Sequence, residues 1–131
     1  MNAPTTQPES EAAAIAYGAR PSILVMAWAG LIGFSAILAF ALYMAVSGIE
    51  EGTPFTSRLL GGAVSTLALY GAYGFWVFLK LHRCGRKLTP DGAQLAEAME
   101  LHRQFWNHAP FVSACSIPIA IAILWPGFQG R

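Results

Sequence analysis

A chain of 131 residues is long enough for one modest domain, yet with 55% hydrophobic and 11% charged residues it is not composed like a water-soluble one. Soluble domains carry roughly 25% Asp, Glu, Lys and Arg, so lipid or other membrane subunits must solvate the apolar surface left over. The formal net charge of +1 comes without a basic stripe interleaved with aromatics, which argues against a nucleic-acid partner.

Residues 1–20 mix Pro, Thr, Gln, Ser and Glu with a short Ala-rich stretch. That is too polar to span a bilayer and too short to fold alone, so a mobile polar tail is expected. It lacks the basic start of a secretory signal peptide, and the expectation is that it stays attached.

A single membrane domain is expected over 21–131, all-α, with three transmembrane helices. From Pro21 to Ile49 there is no Asp, Glu, Lys, Arg or His. At about 1.5 Å per residue this run exceeds a ~30 Å hydrocarbon core, and it makes the first span, about 21–49. The second runs over about 59–79, between Arg58 and Lys80, and the third over about 109–125, interrupted by Pro118. Barrel strands of about ten alternating residues are absent, so the chain resembles a bacterial inner-membrane protein rather than an outer-membrane one.

The connections set an orientation. Glu50 and Glu51 stand in the first loop with only Arg58, whereas Lys80, Arg83, Arg86 and Lys87 cluster after the second span. Excess Lys and Arg mark the cytoplasmic side, which places the N-terminus inside. Thr89-Pro90-Asp91 has the residue types of a helix start. A cytoplasmic amphipathic helix is expected over about 90–108, with Leu95, Met99, Phe105 and Trp106 on its apolar side and Glu97, Glu100, Gln104 and Asn107 on its polar side. Pro110 is expected to kink it rather than end it, so the helix either lies along the interface or runs into the third span.

Ala29 with Gly33, Gly61 with Ser65, Ala68 with Ala72 and Ser116 with Ala120 each place two small residues four apart. In lipid, close backbone approach at such pairs drives helix association, so they are the helix-packing candidates. Three helices have little interior. The expected partners are therefore membrane lipids and other membrane subunits or copies of the same chain. Trp28, Tyr43, Trp76, Trp106 and Trp125 are placed as interfacial anchors.

No charged residue falls deep in a span, which argues against a proton relay, voltage sensor or ion pathway within this chain. Cys84 and Cys115 have no paired spacing, and no metal site or catalytic residue is expected. His82, His102 and His108 all fall on the basic side and are able, as neutral imidazoles, to ligate a haem iron. They show no HxxxH or HExxH spacing. No cofactor is predicted, with haem and glutathione left open.

The stretch LTPDGAQLAEAMELHRQFWNHAPFV, preceded by VFLKLHR, resembles the loop and second-helix start of the MAPEG family, the membrane-associated proteins of eicosanoid and glutathione metabolism. The likeness covers about residues 65–125. In that family a motif of the form R-A-H-x-N-x-x-E-x-x-P opens the second helix. His102, Arg103, Phe105 and Pro110 fit its character, while Glu100, Gln104 and Asn107 stand at the motif's Arg, Asn and Glu. The resemblance implies a polar site where the amphipathic helix meets the membrane, built from Arg103, Gln104, Asn107 and His108, while Glu100 joins them as a candidate for binding a ligand or partner through the polar face of the helix. It also implies an alternative function, a glutathione-dependent enzyme acting on lipophilic substrates. The altered positions favour instead a non-catalytic accessory or structural subunit of a larger membrane complex or homo-oligomer.

Overall fold

Long uninterrupted apolar runs favour long helices, and the computed structural model is built of them. It describes residues 7–47 and 54–129, with side chains over 8–47 and 61–121. Four helices follow in order: α1 (Gln7–Gly18), α2 (Arg20–Ser47), α3 (Pro54–Lys87) and α4 (Leu95–Gln129). No strand occurs among the described residues. By length and composition α2, over Arg20–Ser47, and the Gly61–Lys87 stretch of α3 are fit to cross a membrane. The third expected span lies within α4, but its end at 122–125 lies outside the residues with described side chains. So do the Glu50-Glu51 loop, Arg58 and the Trp125 side chain.

Where a mobile tail was expected, residues 7–18 form a helix. Its inner side is small: Ala13 is buried and Ala16 packs on a cluster of Cys84, Leu88 and Ala98. The chain turns at Ala19 and enters α2 through Pro21, which has no N–H to offer the carbonyl of Tyr17 one turn back.

α2 and α3 lie antiparallel. Gly30 of α2 receives the ring of Phe78, and Gly74 of α3 receives the ring of Phe34. This is a reciprocal lock: each helix contributes a glycine and, four residues on, the phenylalanine that fills its neighbour's notch. Further along, Leu38 covers Gly71, and Leu24 covers Gly85. A side chain at either glycine of the lock would overlap an aromatic ring, so the backbones approach this closely because these positions have no Cβ.

α3 is the middle helix of the row, packing against α2 on one side and α4 on the other. Ala27 and Phe34 of α2, Val77 and Leu81 of α3, and Phe105 and Val112 of α4 form one buried cluster. On α4 the buried residues Ala98, Phe105 and Val112 recur every seventh position, the seam of a nearly aligned helix pair. The predicted apolar side of this helix is therefore corrected: Met99 and Trp106 are exposed, and the inward stripe passes through Ala98, Phe105 and Val112. Met99 and Trp106 lie seven apart on a different azimuth.

The start of α4 is also later than expected. Thr89-Pro90-Asp91-Gly92 forms a turn in which the Gly92 N–H donates to the Thr89 carbonyl at 3.1 Å. Asp91 accepts from the Ala93 N–H at 3.2 Å. Proline in the second place of a turn and glycine in the fourth suit this geometry as well as they suit a helix start. Gly92 has φ 68°, a left-handed conformation, and a Cβ there would come within 2.7 Å of the Ala13 methyl. From Leu95 α4 runs unbroken through Pro110 and Pro118 to Gln129. The amphipathic stretch and the apolar stretch are one helix.

Candidate functional site

The polar residues that sequence reasoning singles out on α4 meet α3 in a ladder of side-chain contacts. At the basic end Lys87 pairs with Glu97 at 2.7 Å. One heptad further, Lys80 Nζ donates to Gln104 Oε1 at 2.6 Å and lies 4.2 Å from the centre of the Trp76 ring. Another heptad along α3, the Tyr73 hydroxyl and His108 Nδ1 are 2.7 Å apart, with the Trp76 ring edge-on to the imidazole at 5.1 Å. Deeper still, the Tyr70 hydroxyl bonds to Ser116 Oγ, and also donates to the Val112 carbonyl at 3.3 Å.

This seam follows from spacing. Tyr73, Lys80 and Lys87 recur every seven residues on α3, and Glu97 and Gln104 do so on α4, so the antiparallel pair brings one rung opposite the next. The Lys80 ammonium thus lies over the indole face and donates to an amide at the same time.

Of the five candidates, Glu100, Gln104 and Arg103 form one connected group. Arg103 Nη2 reaches Glu100 Oε2 at 2.8 Å, and Gln104 Nε2 donates to Glu100 Oε1 at 2.9 Å. The Arg103 guanidinium first, then the Gln104 amide, hold the Glu100 carboxyl below the usual carboxylate range. Glu100 in turn raises Arg103. His108 is half-buried in the aromatic rung, separate from this group, and Asn107 is exposed. The five therefore do not converge on one cleft. Two are spent on α3, two on each other, and one stands apart.

Sequence reasoning missed Tyr70, Tyr73, Trp76, Lys80 and Ser116 as site residues. The heptad of polar groups on α3 was the available signal.

Most of the packing candidates lie away from the contacts between helices of this one chain. Ala29, Gly33, Gly61, Ser65 and Ala72 are exposed and Ala68 is half-buried, and apart from the local backbone and chain neighbours no described atom lies within 4 Å of a Cβ placed at Gly33 or Gly61. The contacts within the chain use Gly30, Gly71, Gly74 and Gly85 instead. Spacing by four identifies a pair of small residues but not the side of the helix that a neighbour occupies.

The histidines do not gather. His82 stacks edge-on with Trp28 at 5.3 Å, and His102 accepts a bond of 2.9 Å from the Trp106 indole N–H. Among the described residues no group of three or more His, Cys, Asp or Glu side chains is placed to hold a metal ion. Cys84 is buried and Cys115 exposed, both as free thiols. The chain matches no protein-family profile, no curated protein and no solved structure.

Proposed function

We propose that this chain is a three-span membrane protein, N-terminus inside, that serves as a non-catalytic accessory or structural subunit of a larger membrane complex or homo-oligomer in a bacterial inner membrane. The observation that carries the reading is the use made of the polar groups on α4. A glutathione site needs cationic donors directed at carboxylates, whereas Lys80 is held by Gln104 and Trp76, Lys87 by Glu97, and Arg103 by Glu100. The seam joins helices rather than presenting reactive groups. The small residues Ala29, Gly33, Gly61, Ser65 and Ala72 face outward, where the contact partner is another helix.

Native mass spectrometry of the particle extracted in mild detergent tests this. Release of several copies, or of this chain bound to larger subunits at fixed stoichiometry, is the expected result. Isothermal calorimetry with glutathione is the counter-test. Saturable micromolar binding by the unmodified protein would replace the subunit reading with a glutathione-dependent enzyme acting on lipophilic substrates. A Soret band in the purified protein would reopen haem ligation by the histidines.

A further inference from the structure

The antiparallel pairing of α2 with α3 brings Arg20 to the basic end of α3. Arg20 Nε donates to the Gly85 carbonyl at 3.2 Å, and its guanidinium lies 5.7 Å from the centre of the Tyr17 ring. These two contacts fix the head of Arg20 and leave its Nη donors without a partner among the described residues. Beside it opens a cleft of about 240 Å³ lined by Tyr17, Arg20, Pro21 and Leu24. Among the described residues no carboxylate lines it.

Of the acids on α4 and its entering turn, Glu97 is paired with Lys87, Glu100 with Arg103, and Asp91 accepts from the Ala93 amide, while Glu11 of α1 lines a separate cleft with Pro8, Ser10 and Ala14. Arg86 is exposed and makes no ion pair among the described residues. It follows Gly85, which holds Arg20, and stands one turn beyond His82, whose ring meets Trp28. That periodicity sets Arg86 on the flank of α3 that adjoins the start of α2. Below the cleft, Leu24, Trp28 and Ile32 recur at four-residue steps down α2, with Trp28 and Ile32 exposed. The Arg20 guanidinium in the cleft, a second arginine on the adjoining flank of α3 and the apolar track below are together complementary to a molecule with an anionic head and a hydrocarbon chain.

We infer that this cleft binds an anionic phospholipid, with its phosphate between Arg20 and Arg86 and one acyl chain along Leu24, Trp28 and Ile32. The inference rests on the membrane-spanning reading. It adds a specific lipid of the leaflet whose surface is negatively charged.

Trp28 is the natural reporter. In full-length protein carrying Trp76→Phe, Trp106→Phe and Trp125→Phe, reconstituted in vesicles, brominated phosphatidylglycerol in a phosphatidylcholine background should quench Trp28. Half-maximal quenching should come at a mole fraction roughly fivefold or more below that for brominated phosphatidylcholine, the effect expected of arginine at an anionic surface. Arg86→Gln, which leaves the Arg20–Gly85 bond in place, should cut the preference several-fold, and adding Arg20→Gln should abolish it. Equal curves for the two lipids, or a preference that survives both substitutions, overturn the inference while leaving the membrane reading intact. Relief of quenching by millimolar inorganic phosphate would assign the cleft to a free anion and overturn it too. Absence of quenching by either lipid would overturn both readings.

Discussion

At Tyr73 a single hydroxyl joins two helices by bonding to His108. Such interhelical bonds in lipid contribute about 0.6 kcal/mol on average and rarely more than about 1.7, because the separated helices find other partners. Tyr73→Phe should thus lower stability by roughly 0.5–1 kcal/mol, measured by equilibrium unfolding in mixed micelles, and leave α3 helical. A loss above about 2 kcal/mol would mean that the imidazole is left unsatisfied in an apolar setting. Glu100 gives a pH-dependent counterpart. Its carboxyl is held below its ordinary value in the folded chain by Arg103 and then Gln104, so its contribution is present above the unfolded pKa and is lost as pH falls through the lowered, folded one. An NMR carboxyl titration should place Glu100 below a glutamate in a short peptide. Arg103→Met should move it back up, and an unchanged midpoint would remove Arg103 as the cause. The carboxyl is exposed and screened by solvent, so that contribution to stability is small and the titration midpoint is the quantity to measure.

Elements divide into those the sequence makes visible and those only packing creates. The apolar runs from Pro21 and through the second span read directly as helices because nothing in them opposes burial or lipid exposure. α1 was not legible: its polar composition resembles a tail, and what docks it is two alanines meeting Leu88, Ala98 and Gly92. The turn at Thr89–Gly92 was misread because its residues serve a helix start equally well. The glycine lock was legible in retrospect, since both helices carry a glycine followed four residues later by phenylalanine, at Gly30 with Phe34 and at Gly74 with Phe78. Gly30→Leu or Gly74→Leu should displace a ring from its notch and cost about 1–3 kcal/mol or more by overpacking. Gly33→Leu, facing outward, should leave intramolecular stability within about 0.5 kcal/mol and weaken association with other helices. Unfolding and native mass spectrometry on the same three variants separate these effects, and equal behaviour would dissolve the distinction between the two glycine sets. Gly92→Ala should loosen both the turn and α1, by about 1–2 kcal/mol for the left-handed backbone alone.

For the molecule as a whole, a row of helices with α3 in the centre has two broad outer surfaces and little interior. Val77 and Leu81 are fully buried, yet in a bilayer their burial trades one hydrocarbon for another, so shape and the polar seam must supply what transfer from water supplies in a soluble core. That is why the candidate site on α4 turned out to be a joint. Its polar groups were legible as a face, but which helix they faced depended on a register that one helix alone does not contain. The orientation can be tested with Cys84→Ala and Cys115→Ser as background. An impermeant thiol reagent should label a cysteine placed at Glu51 in right-side-out membranes and spare one at Lys87. The opposite pattern would invert the orientation.

The two prolines inside α4 give this row an uneven mechanical profile. Pro110 and Pro118 have no amide hydrogen, so the carbonyls of Trp106 and Ala114 lack the donor that continues the helix in every other turn. Side-chain rungs to α3 brace the helix on both sides of Pro110, and the last of them among the described side chains, at Ser116, stands only two residues before Pro118. At Pro118 itself the helix lacks one backbone strut. Amide exchange should be slow from Phe105 to about Val112 and locally faster in the turn at Pro118, making that turn the point at which α4 yields first.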